Sequence, residues 1–399
     1  MSNLQSPLPK SLFLLDPAIV FLNHGSFGAT PRPVFEKYQW WQRELEHQPV
    51  EFLGRRFADL MRDARAALAA YVGAEADDLV YVPNATTGLN IVARSLPLKP
   101  GDEILTTDHE YGALDRTWRF LCRKSGAVYK QQPIPLPVTT ADDFIARVWA
   151  GVTPRTRVFF LSHITSPTAL IFPIQELCRR ARDAGIVSII DGAHAVGQIP
   201  LDMQTIGADF YASNAHKWLC APKGSAFLYT RREMQHLVEP LVVSWGYESE
   251  SPSASRFIDE QEWTGTRDIA AYLATPEAIK FCAEHQWDEV RAKCHALAQS
   301  ARERITAHLR AIHESRLPPV SPDSTDWYMQ MVSVPLPAID MTKDAFGRVP
   351  LQVRLMDEFK IEVPIVVWNG KPYIRVSIQA YNTQKDVERL VDALRELLE

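Results

Sequence analysis

IVSIIDGAHAVGQIP (residues 186–200) and ADFYASNAHKWLCAPKGSAFLYT (residues 208–230) decide how this chain is read. IVSIID is apolar and β-branched, the pattern of a strand buried on both faces. It ends on Asp191, a carboxylate that is costly to bury unless it meets a cation or hydrogen-bond donors. Asp191 alone has a plainer reading, the capping of the turn that follows. ADFYASNAH reads as the next strand and delivers Lys217 among aromatic and small residues, unlike a solvated surface lysine. An amine in that setting loses hydration, which lowers its pKa and frees it to attack a carbonyl. Lys223 is a rival by residue type, but Lys-Gly after Pro222 reads as an ordinary turn.

Outward from these two strands the chain alternates. Helices are expected over residues 55–73, 85–96, 113–126 and 173–185, and strands over 78–84, 102–108, 156–164, 186–191, 208–216 and 224–230. Short apolar strands alternating with helices of this length predict βαβ units and a mainly parallel sheet sandwiched by helices. Such sheets place functional residues at the carboxyl ends of their strands. Asn84, Asp108, His109, Ser162, Asp191 and Lys217 all fall at those ends. Beyond about residue 270 the pattern shifts to longer helices, then strand-like MQMVSVPLP, IEVPIVVW and KPYIRVSIQ, and a last helix, KDVERLVDALRELLE. The expected organisation is an N-terminal segment (1–35) packed beside a smaller α+β domain (271–399), with a large α/β domain (36–270) between them in sequence.

The composition sets the boundaries of function. With 399 residues, 46% hydrophobic and 23% charged, the chain suits an ordinary globular protein, and a net charge of -5 gives no reason to expect nucleic acid. No run of eighteen apolar residues suggests a membrane span. The five cysteines are scattered and include no Cys-x-x-Cys, which fits a reducing cytoplasm and argues against a disulfide framework or a zinc knuckle. HEYGA lacks the second histidine that a zinc helix needs, so no metal is expected, and no phosphate-binding glycine loop follows a strand.

A lysine and a strand-end carboxylate are two of the requirements of pyridoxal 5′-phosphate (PLP), whose aldehyde takes an amine and whose ring nitrogen needs an acid partner. The segments NATTGLN, DHEYGA, LSHITSPTAL, DGAHAVG, ADFYASNAHKWL, QEWTGTRD and YIRVSIQAYN together, in this order, resemble the class V aminotransferase family of fold-type I PLP enzymes. The nearest likeness is to the isopenicillin N epimerase-like branch. The resemblance implies that Lys217 carries the cofactor as a Schiff base, that Asp191 pairs with its ring nitrogen, and that His194 lies near its phenolic oxygen. It implies a phosphate site made by Thr86 and Thr87 at a helix N-terminus, by Ser213 and His216, and by Thr264 and Thr266 from a neighbouring subunit, hence a homodimer with sites at the interface. Arg375 matches the arginine that grips a substrate α-carboxylate. Asn23 and His24 of FLNHGSFG are further candidates on the substrate side. His109 or Tyr111 stacks on the cofactor ring; the motif leaves both open. Plain readings stand beside each: core histidines, a simple helix cap, an inter-strand ion pair.

The implied chemistry begins with loss of a Cα proton from an amino-acid-like substrate, with Lys217 as the base. Epimerisation is the first reading, β-elimination by a C–S lyase the second and transamination the third; a non-catalytic PLP-binding protein is the alternative outside enzymes. Desulfurases of this superfamily carry a nucleophilic cysteine in the C-terminal region. No cysteine follows Cys294 here, which disfavours persulfide chemistry.

Overall fold

The computed structural model describes residues 6–312 and 317–399. A short strand β1 (Val20–Phe21) precedes the main sheet, which comprises β2 (Leu79–Val82), β3 (Glu103–Thr107), β4 (Val128–Gln132), β5 (Thr156–Ser162), β6 (Val187–Asp191), β7 (Phe210–Ser213) and β8 (Ala226–Thr230). Their order across the sheet is β2-β8-β7-β6-β5-β3-β4. β8 runs antiparallel to both its neighbours, and the remaining pairs are parallel. Alternate residues serve opposite faces, as the two-residue period of a strand demands. Val80, Ile104, Phe160, Ile189 and Phe210 join one apolar core, while Leu79, Leu105, Phe159, Ile190 and Tyr211 join the other. Both faces are therefore dry, the state that the continuous apolar runs predicted.

A second, three-stranded antiparallel sheet follows: β9 (Met331–Pro335), β11 (Ile365–Trp368) and β12 (Lys371–Ser377) in the order β11-β12-β9, while β10 (Ile361–Glu362) pairs with β1. The N-terminal segment is thereby tied to the C-terminal region, and an Asn23–Ser377 bridge extends the tie. IEVPIVVW does not form one strand but two, because Pro364 interrupts it; the Pro364 carbonyl instead accepts the Arg375 N–H at 3.1 Å. The long helices Thr275–Glu284 and Trp287–Ile312 are separated at Gln286, which has φ +50.

Among the elements that escaped the sequence pattern are β4 and the helix Ala141–Trp149. β4 is an edge strand whose VYKQQ residues are exposed or half-buried, so it carries no apolar run to detect. The strand expected over 208–216 stops at Ser213, where Asn214–Leu219 turns back on the sheet. Among the described residues no helix is long and apolar enough to cross a membrane.

The carboxyl ends of β3, β5, β6 and β7 lie side by side, with Ser162 paired to Asp191 and Asp191 to Ala212. Gly28 closes this edge from the N-terminal side. Its φ is +71, and a Cβ there would lie 2.0 Å from the His216 carbonyl oxygen and 3.1 Å from the Lys217 Cα. Gly28→Ala is expected to cost about 3 kcal/mol or more in urea unfolding, through strain and clash combined. Gly101, with φ +84 and nothing within 4 Å, is the control; its alanine variant should lose only roughly 1 kcal/mol, from strain alone. Equal losses at both sites would refute the packing argument.

Candidate active site

Asp191 ends β6, and its backbone and that of Gly192 are held by neighbouring strands: His163 N–H donates to the Asp191 carbonyl and Gly192 N–H to that of Ala212, each at 2.8 Å. Gly192 is required here because a Cβ would fall 2.2 Å from the Tyr211 ring. One Asp191 carboxylate oxygen accepts the Ala193 N–H at 2.9 Å, and among the described residues nothing donates to the other. Burial raises the Asp191 pKa, partly offset by that hydrogen bond and by the nearby Lys217 charge.

Lys217 sits on the turn after β7, half-buried, 3.3 Å from His194 Nε2. The other ring nitrogen of His194 is 3.3 Å from the indole N–H of Trp218. An indole N–H can only donate, so His194 Nδ1 must be the bare nitrogen and Nε2 must carry the proton. His194 then donates to Nζ, and Nζ can accept only as a neutral amine. The electrostatics agree: burial, then the Arg375 charge, lower the Lys217 pKa to about 7, against the opposing pull of Asp191. With a pKa of about 7, a large share of the Lys217 amine is unprotonated at neutrality, the form that can act as a nucleophile or a base.

Arg375 enters from β12 and is 5% exposed. One guanidinium nitrogen donates to the Ser166 carbonyl at 2.8 Å and to its hydroxyl at 3.1 Å; the other donates to Ser26 Oγ at 3.1 Å. Nε is buried without a partner. Among the described residues no carboxylate pairs with this cation, and burial pulls its pKa down to about 10. An unpaired buried guanidinium is a receptor for a carboxylate.

Asn84 caps the helix Ala85–Ser95, accepting Thr87 N–H at 2.8 Å and the Thr87 hydroxyl at 3.1 Å. Asn214 Oδ1 accepts Ala85 N–H at 2.8 Å. Thr86 is left with its amide and hydroxyl free at the helix N-terminus, where an anion is favoured. Ser213 is not available to it, contrary to the sequence expectation. Its single hydroxyl proton goes to the Gly192 carbonyl at 2.5 Å and its oxygen accepts Val196 N–H, so it braces the turn below Asp191. The residue one position on, Asn214, reaches the helix end instead. His216 donates from Nδ1 to the Ser225 carbonyl at 2.9 Å, leaving Nε2 open. Burial and the Lys217 charge lower its pKa to about 4, so Nε2 donates only once an anion beside it restores the proton.

The two aromatic candidates separate cleanly. His109 is fully buried, bonded at 2.8 Å to both Thr168 Oγ1 and the Ile134 carbonyl, with Trp368 over its face at 4.3 Å. Both of its ring nitrogens are therefore engaged within the chain. Tyr111, 45% exposed ahead of the helix Gly112–Ser125, is the aromatic side chain that remains free. His24 is likewise withdrawn from any substrate: fully buried, it bonds Tyr381 Oη and the Lys217 carbonyl, each at 3.0 Å, and props the backbone under the lysine. Asn23 acts one step back, accepting from Ser26, which in turn accepts from Arg375. Thr264 accepts from Arg267 and Thr266 is exposed; neither bonds to the Lys217 cluster within the chain.

Sequence reasoning passed over Ser26, Ser166, Asn214, Trp218 and Glu110. Only Trp218 carried a readable signal, as a donor-only side chain beside the lysine.

An open carboxylate oxygen, a neutral amine, a helix N-terminus with free donors and an unpaired guanidinium fit PLP with an amino-acid substrate. These features suit a PLP-dependent α/β enzyme of the fold-type I class. The comparisons agree. Residues 26–390 match the model of the aminotransferase class-V family. The isopenicillin N epimerase of Amycolatopsis lactamdurans is 37% identical over 395 residues, covering 96% of each chain. The hercynylcysteine sulfoxide lyase of Schizosaccharomyces pombe is 28% identical, covering 97% of this chain and 96% of its own. A solved C-DES mutant with glycine covalently linked to its PLP cofactor superposes with a TM-score of 0.80 at 21% identity, over 98% of this chain and 99% of that one, which shows the shared fold. The chain belongs to the class V aminotransferase family, a family of PLP-dependent enzymes.

The tautomer argument makes a pH prediction. Without the indole N–H, His194 can present a bare Nε2 and accept from a protonated Lys217, which stabilises the ammonium. Trp218→Phe should therefore raise the pH midpoint for trapping of Lys217 by an aldehyde reagent, by up to about one unit above the wild-type value near 7. A midpoint that stays or falls would refute the tautomer assignment.

Proposed function

We propose that this chain is an isopenicillin N epimerase-like enzyme, an epimerase or racemase that moves the Cα proton of an amino-acid-like substrate. The observation that carries the reading is the neutral Lys217 amine, set by His194 beside a strand-end Asp191 with a spare oxygen. Bound PLP supplies an aldehyde for the amine and a ring that accepts electrons from Cα. The chain's own residues do the rest. Asp191 takes the ring N–H with its free oxygen. Thr86, Asn214 and the helix N-terminus hold the phosphate, and His194 donates toward the phenolic oxygen. Tyr111 covers the ring. Arg375 holds the α-carboxylate with the nitrogen that has no partner, and Lys217 takes and returns the proton. Because the whole set serves any Cα deprotonation, the choice of epimerisation rests on the 37% identity to an epimerase along 96% of both chains.

A C–S lyase is the second reading, supported by the sulfoxide lyase relative. It requires no catalytic cysteine, and none is present after Cys294. The experiment uses the holoenzyme. An absorbance band at roughly 400–430 nm is expected, and Lys217→Ala should abolish it; a band that survives would remove Lys217 from its role. Incubation with L-amino acids and cysteine conjugates in deuterated water then separates the reactions. Cα deuterium with inverted configuration supports the epimerase, whereas pyruvate, ammonia and free thiol would replace it with the lyase. A keto acid with pyridoxamine phosphate would mean transamination.

The proposal includes a homodimer in which Thr264 and Thr266 reach the partner's phosphate site. Leu241, Val242, Val243, Trp245 and Tyr247 support it, since one short segment exposes all five and Trp245 to 84%. A contiguous apolar surface of that kind is the mark of an interface. Sedimentation should give a dimer, and Thr266→Ala should weaken PLP binding without dissociating it. A monomer with full cofactor affinity would overturn this part.

A further inference from the structure

The turn after β3 is pinned from several directions. Asp108 accepts the Ile134 N–H at 2.9 Å and the Asn369 amide at 2.7 Å, while its carbonyl accepts the Trp368 indole N–H at 2.7 Å. Its most buried anchor is Glu110, which is 6% exposed and has no cationic partner among the described residues. One carboxyl oxygen accepts both the Ser162 N–H at 2.8 Å and the Ser162 hydroxyl at 2.6 Å; the other accepts the Thr107 hydroxyl at 2.7 Å. Thr107 Oγ1 also accepts the His109 N–H at 3.2 Å, which closes the turn on itself. Ser162 is the register partner of Asp191 across β5 and β6. Tyr111 is the next residue along the chain and leads into the helix Gly112–Ser125.

We infer that Glu110 is a positioning residue of this site, fastening the turn that presents Tyr111 to the strand end beside Asp191 and acting on Asp191 through its charge. The inference rests on the reading that this site holds PLP.

Two carboxyls in a dry region oppose each other's ionisation. Burial raises the Glu110 pKa, the Ser162 and Thr107 bonds pull it back, and the charge of Asp191 pushes it up again, to about 7. Besides Asp191 from β6, the groups that bear on it are Tyr129 from β4 and the hydroxyls of Thr107 and Ser162; Asp108 and His109 precede it in the turn. Asp191 faces Lys217 and Tyr211 in turn. Near neutrality Glu110 therefore exchanges a proton, and its ionised form accepts all three bonds. Its negative charge favours protonated, cationic forms of whatever Asp191 and Lys217 hold, so removing that charge must lower their proton affinity.

The experiment compares Glu110→Gln with Glu110→Ala as PLP-loaded protein. Glutamine keeps the shape and can still accept from Ser162, but has no charge. Its PLP dissociation constant should stay within about threefold of wild type, while the pH midpoint of the visible cofactor band falls by roughly half a unit to one unit. Alanine should show the same fall, together with about tenfold weaker PLP binding as the turn comes loose. A midpoint unchanged in Glu110→Gln would overturn the inference, including the case where both variants only melt at lower temperature. A wild-type protein with no Lys217-dependent visible band would instead overturn the PLP reading itself.

Discussion

The site depends on withdrawing one carboxylate and two basic groups from water without letting them neutralise one another. Asp191 is 3% exposed and Arg375 5%, and Lys217 lies between their influences. Burying an unpaired ion costs several kcal/mol, so a chain that tolerates this must lower the charge or spread it. This one does both. Burial and the Arg375 charge lower the Lys217 pKa to about 7, with His194 Nε2 3.3 Å from its amine, and the Arg375 charge is shared over neutral oxygens from Ser166 and Ser26. What is left unsatisfied is one Asp191 oxygen and the Arg375 Nε, and in the proposed function a cofactor and a substrate carboxylate offset that cost there. The destabilised groups and the ligand-binding groups are the same atoms.

Three regions far apart in sequence meet at that point. Ser166 belongs to the loop after β5, Ser26 to the N-terminal segment, and Arg375 to the C-terminal sheet. The tie between β1 and β10 and the Asn23–Glu362 bond hold the N-terminal segment where Ser26 can reach the guanidinium. On the other flank, Trp368 and Asn369 of the C-terminal sheet clasp Asp108 and close over His109. The small sheet therefore forms one wall of the site and sets both the arginine and the turn that carries Tyr111. Sub-ångström placement of catalytic groups asks for such support from packed neighbours.

This division also explains what was legible in the chain. The parallel sheet, the strand-end Asp191 and the unusual setting of Lys217 follow from local pattern, because apolar runs and their ends are local properties. β4 stayed hidden because an edge strand is wet on one side and carries no apolar run. Residue identity at the site was visible, but side-chain direction was not. Ser213 and Asn214 differ by one position, and the turn of the chain between them sends one beneath Asp191 and the other to the helix end. His109 and Tyr111 are two apart in a turn, where no period predicts facing, and their fates were decided by Ile134, Thr168 and Trp368. His24 went to the core for a similar reason: its bonding partners, Tyr381 and the Lys217 carbonyl, lie 357 and 193 positions away.

The same logic bears on which reaction follows. In the proposed function Lys217, Asp191 and Arg375 hold the substrate and take its Cα proton, and that inventory is common to epimerisation, elimination and transamination. The outcomes diverge at the step after, in what returns a proton and to which atom. A neutral lysine that has just taken a proton is cationic, in a place where burial and Arg375 already oppose that charge. The pressure is to hand the proton on quickly, and the route it takes depends on the groups at the front of the site rather than on those beneath it. Those groups sit on the turn held by Glu110 and on the surface exposed by a single chain. On the proposed reading, the choice of reaction lies with a weakly patterned part of the sequence, while the capacity for Cα chemistry lies at the strand ends.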